Sequence, residues 1–198
     1  MPFENNAIYL SQTFNEIDAS NFELEGIEFD DCTFIKCDFS DGFFKKCKLS
    51  DCSFEHCNLS NIKVNYSRFL NVNFEHCKLI GVDWSKAHWP NITSFAALKF
   101  QQCILNYSSF FALHLQEITI EECKAHEVDF RSGNFTDANL SYTNFTGALF
   151  NHTKLNRCNF KEASHYHIDV LNNDIHGAKF CRFEAVSLLE SLGIELLD

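Results

Sequence analysis

The chain of 198 residues contains two prolines, seven glycines and one methionine. So little proline and glycine excludes a collagen-like or low-complexity chain. No apolar run approaches the ~18–20 residues that a membrane-spanning helix requires. The opening residues, Met1-Pro2-Phe3-Glu4-Asn5-Asn6, carry neither the basic start nor the apolar stretch of a secretory signal. Basic charge is scarce as well. The 16 Lys and Arg stand against 27 Asp and Glu, a net charge of -11, which is the wrong sign for attracting a nucleic-acid backbone. Catalytic signatures are missing: there is no GxSxG, no Walker loop and no HExxH. The expectation is a cytoplasmic, non-catalytic chain with no cofactor, no metal and no small-molecule substrate, and with neither membrane nor nucleic acid as partner.

Two residue types are abundant, 22 Phe and 10 Cys, and an internal repeat explains both. Steps of five from Leu24 meet Phe29, Phe34, Phe39, Phe44, Leu49, Phe54, Leu59, Val64, Phe69, Phe74, Leu79, Trp84 and Trp89. The frame slips by one residue within Pro90-Asn91-Ile92-Thr93-Ser94, resumes at Phe95 and runs on through Phe100, Phe110, Phe130 and Phe150 to Phe180. Of these 32 positions, 16 are Phe and 8 are Leu. A second frame lies two residues before the first and holds small side chains. Nine of the ten cysteines fall on it, from Cys32 and Cys37 to Cys158, interspersed with Ala, Ser, Gly and Thr. The other three residues of each five are mostly polar.

A period of five is neither that of a helix nor that of an alternating strand. A solenoid with four five-residue sides per turn accounts for it. Phe54-Glu55-His56-Cys57 recurs 20 residues later as Phe74-Glu75-His76-Cys77, which agrees with four sides. Both frames then point inward, and successive turns lie one strand spacing apart, ~4.8 Å. The fold class expected is an all-β solenoid of about eight coils, a rod of roughly 38 Å at that spacing, with a short C-terminal α-helical cap. The chain divides into an N-terminal cap at 1–21, the repeat at 22–182, and a helix and tail at 183–198.

Ala138-Asn139-Leu140-Ser141-Tyr142 and Cys158-Asn159-Phe160-Lys161-Glu162 fit a five-residue consensus of a small residue, Asp or Asn, Leu or Phe, and two variable residues. In this the chain resembles the pentapeptide repeat family, and the resemblance implies a right-handed quadrilateral β-helix.

Three irregularities stand out. The slip at 90–94 predicts a one-residue bulge, since proline removes a backbone donor. At 163–177 the large site is taken by His165 and the small site by Asn173, which predicts a distorted last coil. From residue 183 the pattern turns helical. Phe183, Val186, Leu189 and Leu192 share one face, with Gly193 placed to end the helix. Together with Ile194, Leu196 and Leu197 they exceed what one capped coil needs, so they are the candidate homodimer interface.

The cysteines lack zinc-type spacing and are read as small core residues, reduced and metal-free. Cys37, Cys57 and Cys77 are expected in one column, and Cys103 with Cys123. His56 and His76 should form a solvated ladder. Charge is uneven: residues 1–41 hold ten acids and one base, Lys36. Glu23, Glu25, Glu28, Asp30, Asp31, Asp38 and Asp41, with Glu184, Glu190 and Glu195 near the tail, form the candidate acidic partner-binding surface.

Within the family, a rod with an apolar C-terminal helix and tail is similar to the Qnr, MfpA and McbG subgroup. That resemblance implies a homodimer that mimics duplex DNA, binds DNA gyrase or topoisomerase IV and protects the enzyme from quinolones or peptide toxins. The alternative is a non-catalytic interaction scaffold with an unrelated partner.

Overall fold

The computed structural model describes residues 3–89 and 97–194. Every fifth residue turns inward, and the chain winds into a β-solenoid of about eight turns. All strand pairs are parallel. One face stacks Ile8–Leu10, Glu28–Asp30, Lys48–Ser50 and Arg68–Leu70; the next stacks Thr13–Asn15, Thr33–Ile35, Ser53–Glu55, Val72–Glu75, Leu98–Gln101 and Thr119–Glu121. Glu23–Glu25 with Phe43–Lys45, Asn159–Phe160 with Lys179–Phe180, and isolated parallel bridges complete the walls. The faces are named below for their first inward residue: Tyr9, Phe14, Ala19 and Leu24.

The large residues stack face to face along the rod. On the Phe14 face the ring centroids of Phe34 and Phe54 are 4.5 Å apart, those of Phe54 and Phe74 5.0 Å, and those of Phe74 and Phe100 5.1 Å. These distances follow the strand spacing. Rings on adjacent faces meet edge-on, as Phe29 meets Phe34 at 5.1 Å and 83°. Offset stacks and edge contacts are the two arrangements the aromatic quadrupole favours. The core thus fixes both the rise of each turn and the right angle between its sides.

Corners use left-handed backbone. At most corners the residue two after the large one takes a positive φ, as in Glu16, Asn21, Asp31, His56 and Asn61. Asn, Asp and Gly suit this conformation; other residues tolerate it at a cost. The small residue comes next and turns inward. At Gly133 an added Cβ would lie 2.4 Å from the Phe135 ring, so even alanine is too large there.

Three expectations are corrected. First, residues 1–21 are not merely a cap. Tyr9 pairs with Phe29 and Phe14 with Phe34, so the first turn begins at residue 8. Its open end is closed by Phe3, which packs against the rings of Tyr9, Phe14 and Phe29. Second, the expected slip at 90–94 lies outside the described residues, but the register on either side gives its size. Val72 pairs with Leu98 and Phe74 with Phe100, an offset of 26 instead of 20, so this turn holds six residues more than its neighbours rather than one. A five-residue frame cannot tell the two apart, because both displace it by one. Third, His165 does not enter the core. It stands at a corner with φ 58°, and Tyr166 and Ile168 fill the interior in its place.

Candidate partner-binding surfaces

The small-residue frame carries out a hydrogen-bonding task. At several of these corners the side chain accepts an N–H from the turn before and donates to the carbonyl of a large residue. Ser67 Oγ accepts from Cys47 N–H at 2.9 Å and donates to the Phe44 carbonyl at 2.7 Å. Cys57 Sγ repeats this with Cys37 N–H at 3.3 Å and the Phe34 carbonyl at 3.3 Å. Asn173, expected to be a misfit, does the same for Thr153 N–H at 2.9 Å and the Phe150 carbonyl at 3.2 Å. The six extra residues bring Cys103 over Cys77. The expected two groups are therefore one column, Cys37, Cys57, Cys77, Cys103 and Cys123, continued by Thr143.

Burial pushes the Cys52 and Cys158 thiols up to about 12 and that of Cys47 up to about 11. The neighbouring Cys103 thiol, and with it burial, pushes Cys77 up to about 12. All ten thiols are unpaired, nine are buried, and Cys181 is half-exposed. Among the described residues, no three His, Cys, Asp or Glu side chains converge as a metal site would require. The rings of His56 and His76 stack in parallel on the surface at 4.7 Å.

The N-terminal acids do not form one strip. Glu23 and Glu25 lie on the Leu24 face; Glu28, Asp30 and Asp31 on the Tyr9 face; Asp38 and Asp41 on the Ala19 face. Lysines one turn on engage several of them: Lys45 is 3.2 Å from Glu23 and 3.3 Å from Glu25, and Lys48 is 3.5 Å from Glu28. Asp38 is held by Ser40 and Asn58, Asp41 by Asn61, and Asp31 by Ser11. Exposed pairs of this kind gain ~0–1 kcal/mol, but they do reduce the field of the acids. Three further acids do fall in one column: Glu55, Glu75 and Glu121, with Gln101 between the last two, follow one another up the Phe14 face. The echo at Phe54 and Phe74 contains that signal.

At the other end, Glu184–Val186 and Ser187–Glu190 form the expected short helix. Leu188 and Ala185 pack onto the core. Side chains of the helix satisfy the last turn's amides. Glu184 Oε2 accepts His165 N–H at 3.1 Å and Ser191 Oγ accepts Val170 N–H at 3.2 Å. Glu184 is thereby a capping group rather than a free surface acid, whereas Glu190 is exposed. Phe183 is 90% exposed, and Val186, Leu189, Leu192 and Ile194 are exposed beside it on the side away from the core. Glu195, Leu196 and Leu197 lie outside the described residues. Among the described residues, no helix is long and apolar enough to cross a membrane.

Comparison with known proteins gives two family matches, a pentapeptide repeat region over residues 27–93 and pentapeptide repeats in eight copies over 114–151 and 133–164. Together they cover more than half of the chain. No curated protein matches its sequence. Among solved structures, a trypsin-treated variant of QnrB1, described as a plasmid-mediated fluoroquinolone resistance protein, superposes with a TM-score of 0.64 at 24% identity, over 98% of this chain and 93% of that one. A second trypsin-treated QnrB1 variant gives 0.60 at 19% identity, over 96% and 100%. At such identities the likeness establishes the fold.

Proposed function

Since the chain belongs to the pentapeptide repeat family, we propose that it is a non-catalytic, cytoplasmic interaction protein that occupies the DNA-binding surface of DNA gyrase or topoisomerase IV and protects the enzyme from quinolones or peptide toxins. The observation that carries this reading is the exposed apolar face of Phe183, Val186, Leu189, Leu192 and Ile194 on a helix whose other side already closes the solenoid. An end that is both capped and apolar fits an isologous twofold contact. Two rods joined there would span roughly 75 Å at the strand spacing. Their net charge of -11 each suits a basic groove. The QnrB1 fold and the tail resemblance support the same assignment.

A specific observation favours a second reading, a scaffold for an unrelated partner. The N-terminal acids are spread over several faces, and Glu23, Glu25 and Glu28 are paired with lysines, so they present no duplex-like strip. A gyrase supercoiling assay with and without a quinolone separates the two. A topoisomerase-directed protein displaces DNA from the enzyme, with an effect that weakens as salt rises. A full-length protein with no effect on supercoiling or drug inhibition at low salt supports the scaffold.

A further inference from the structure

We infer that the acidic end of the solenoid is a strand-addition site for an extended, basic segment of another protein. The backbone prepares it. Glu28 N–H donates to the Ala7 carbonyl at 3.0 Å and Ser11 N–H to the Asp30 carbonyl at 2.9 Å, so alternate residues of the first strand direct their peptide groups toward the second turn. The intervening Ile8 and Leu10 direct theirs off the end of the rod, as a pleated parallel strand requires. The Phe14 face repeats this. Thr33 N–H donates to the Gln12 carbonyl at 2.8 Å and Glu16 N–H to the Ile35 carbonyl at 2.9 Å, which leaves Thr13 and Asn15 facing outward.

The neighbouring edge is closed. Asn5 Oδ1 accepts Glu25 N–H at 2.9 Å, and Asn6 N–H donates to the Glu25 carbonyl at 2.9 Å. The far end is closed by the C-terminal helix. Among the described residues, nothing pairs with the outward peptide groups of Ile8, Leu10, Thr13 or Asn15.

Exposed edges are ordinarily blunted by lysine, proline or a bulge. The strands Ile8–Leu10 and Thr13–Asn15 have none of these, and Ile8 and Leu10 are 62% and 59% exposed. Charge selects the occupant. With ten acids and one base in residues 1–41, two copies meeting at this end would repel. A strand of alternating apolar and basic residues instead pairs its backbone with Ile8 and Leu10, turns its apolar side chains inward beside Tyr9 and Phe3, and sets its charges on the outer face where Leu10 is in register with Asp30. Among the described residues, neither Glu4 nor Asp30 has an ion-pair partner. This is β-strand addition. It is independent of any contact with a topoisomerase.

The test uses the full-length protein and a synthetic peptide of alternating Lys and Val. Binding at low salt should slow hydrogen exchange of the Ile8 and Leu10 amides about tenfold. Leu10→Pro, which removes one outward donor, should weaken binding by about tenfold, and so should N-methylation of alternate peptide residues, which leaves the protein intact. Absence of binding, or equal binding by an N-methylated or alternating Lys-Pro peptide of the same charge, would overturn the proposal, because either result reduces the site to an acidic end without strand pairing.

Discussion

The backbone N–H of Cys77 donates to the Sγ of Cys103 at 3.4 Å, although 26 residues separate them. This contact is one step of the column from Cys37 to Thr143, and it gives the thiols a structural task. Cys77→Ala removes the acceptor of Cys57 N–H and the donor to the Phe54 carbonyl, and should cost about 1–3 kcal/mol. Cys77→Ser keeps both bonds and should cost less. Urea denaturation checks the order; equal losses for Ala and Ser would remove the hydrogen-bonding role.

Thiol reactivity should follow burial. Alkylation of the native protein at pH 8 should mark Cys181 first, and all ten sites only after unfolding. Stability should also fall in alkali. Unfolded thiols lose their protons near the ordinary value of 9.0, whereas folded Cys47 holds its proton to about 11 and Cys52 and Cys158 to about 12. The contribution is full below pH 9 and is lost as pH rises toward 12. Urea midpoints at pH 8 and pH 10 measure it, and the pH 10 value should be the lower.

The stacked rings hold successive turns together. Phe74 lies between Phe54 and Phe100, with centroids at 5.0 and 5.1 Å. Phe74→Ala should cost about 3–5 kcal/mol. Phe74→Leu should cost less, since Leu79 and Leu105 fill equivalent interior positions on the next face. Thermal unfolding followed by circular dichroism gives the comparison.

The C-terminal face should govern association. Leu189→Glu should yield a monomer by light scattering with little change in thermal stability, because Leu189 is exposed while Leu188 makes the core contact. A dimer that persists in this variant places the subunit contact elsewhere.

The sequence made the solenoid legible because a packed interior repeats its demands at every side, so Phe and Cys mark the inward positions directly. What it hid were departures that a ruler of five cannot count. The turn before Leu98 carries six extra residues but shifts the frame by one. His165 sits on the frame yet turns outward, because Tyr166 fills the interior better and the corner moves by one residue. Tyr9 and Phe14 already lie on the frame, so the early start of the solenoid could have been read. The dispersal of the acids could be seen only after each residue was assigned to a face.

Because Glu28 bonds back to Ala7 and Thr33 to Gln12 by the same step that links the other regular 20-residue turns, the length of the regular part of this rod comes in whole units. Excising 20 consecutive residues from the regular repeat, between the open acidic edge at Ile8 and the helix at Ser187, would bring the two ends nearer by one strand spacing, ~4.8 Å, and leave every remaining column in register. The molecule is in this sense a gauge. The distance between whatever docks at one end and whatever docks at the other is an integer that the gene can add to or subtract from without redesigning either end.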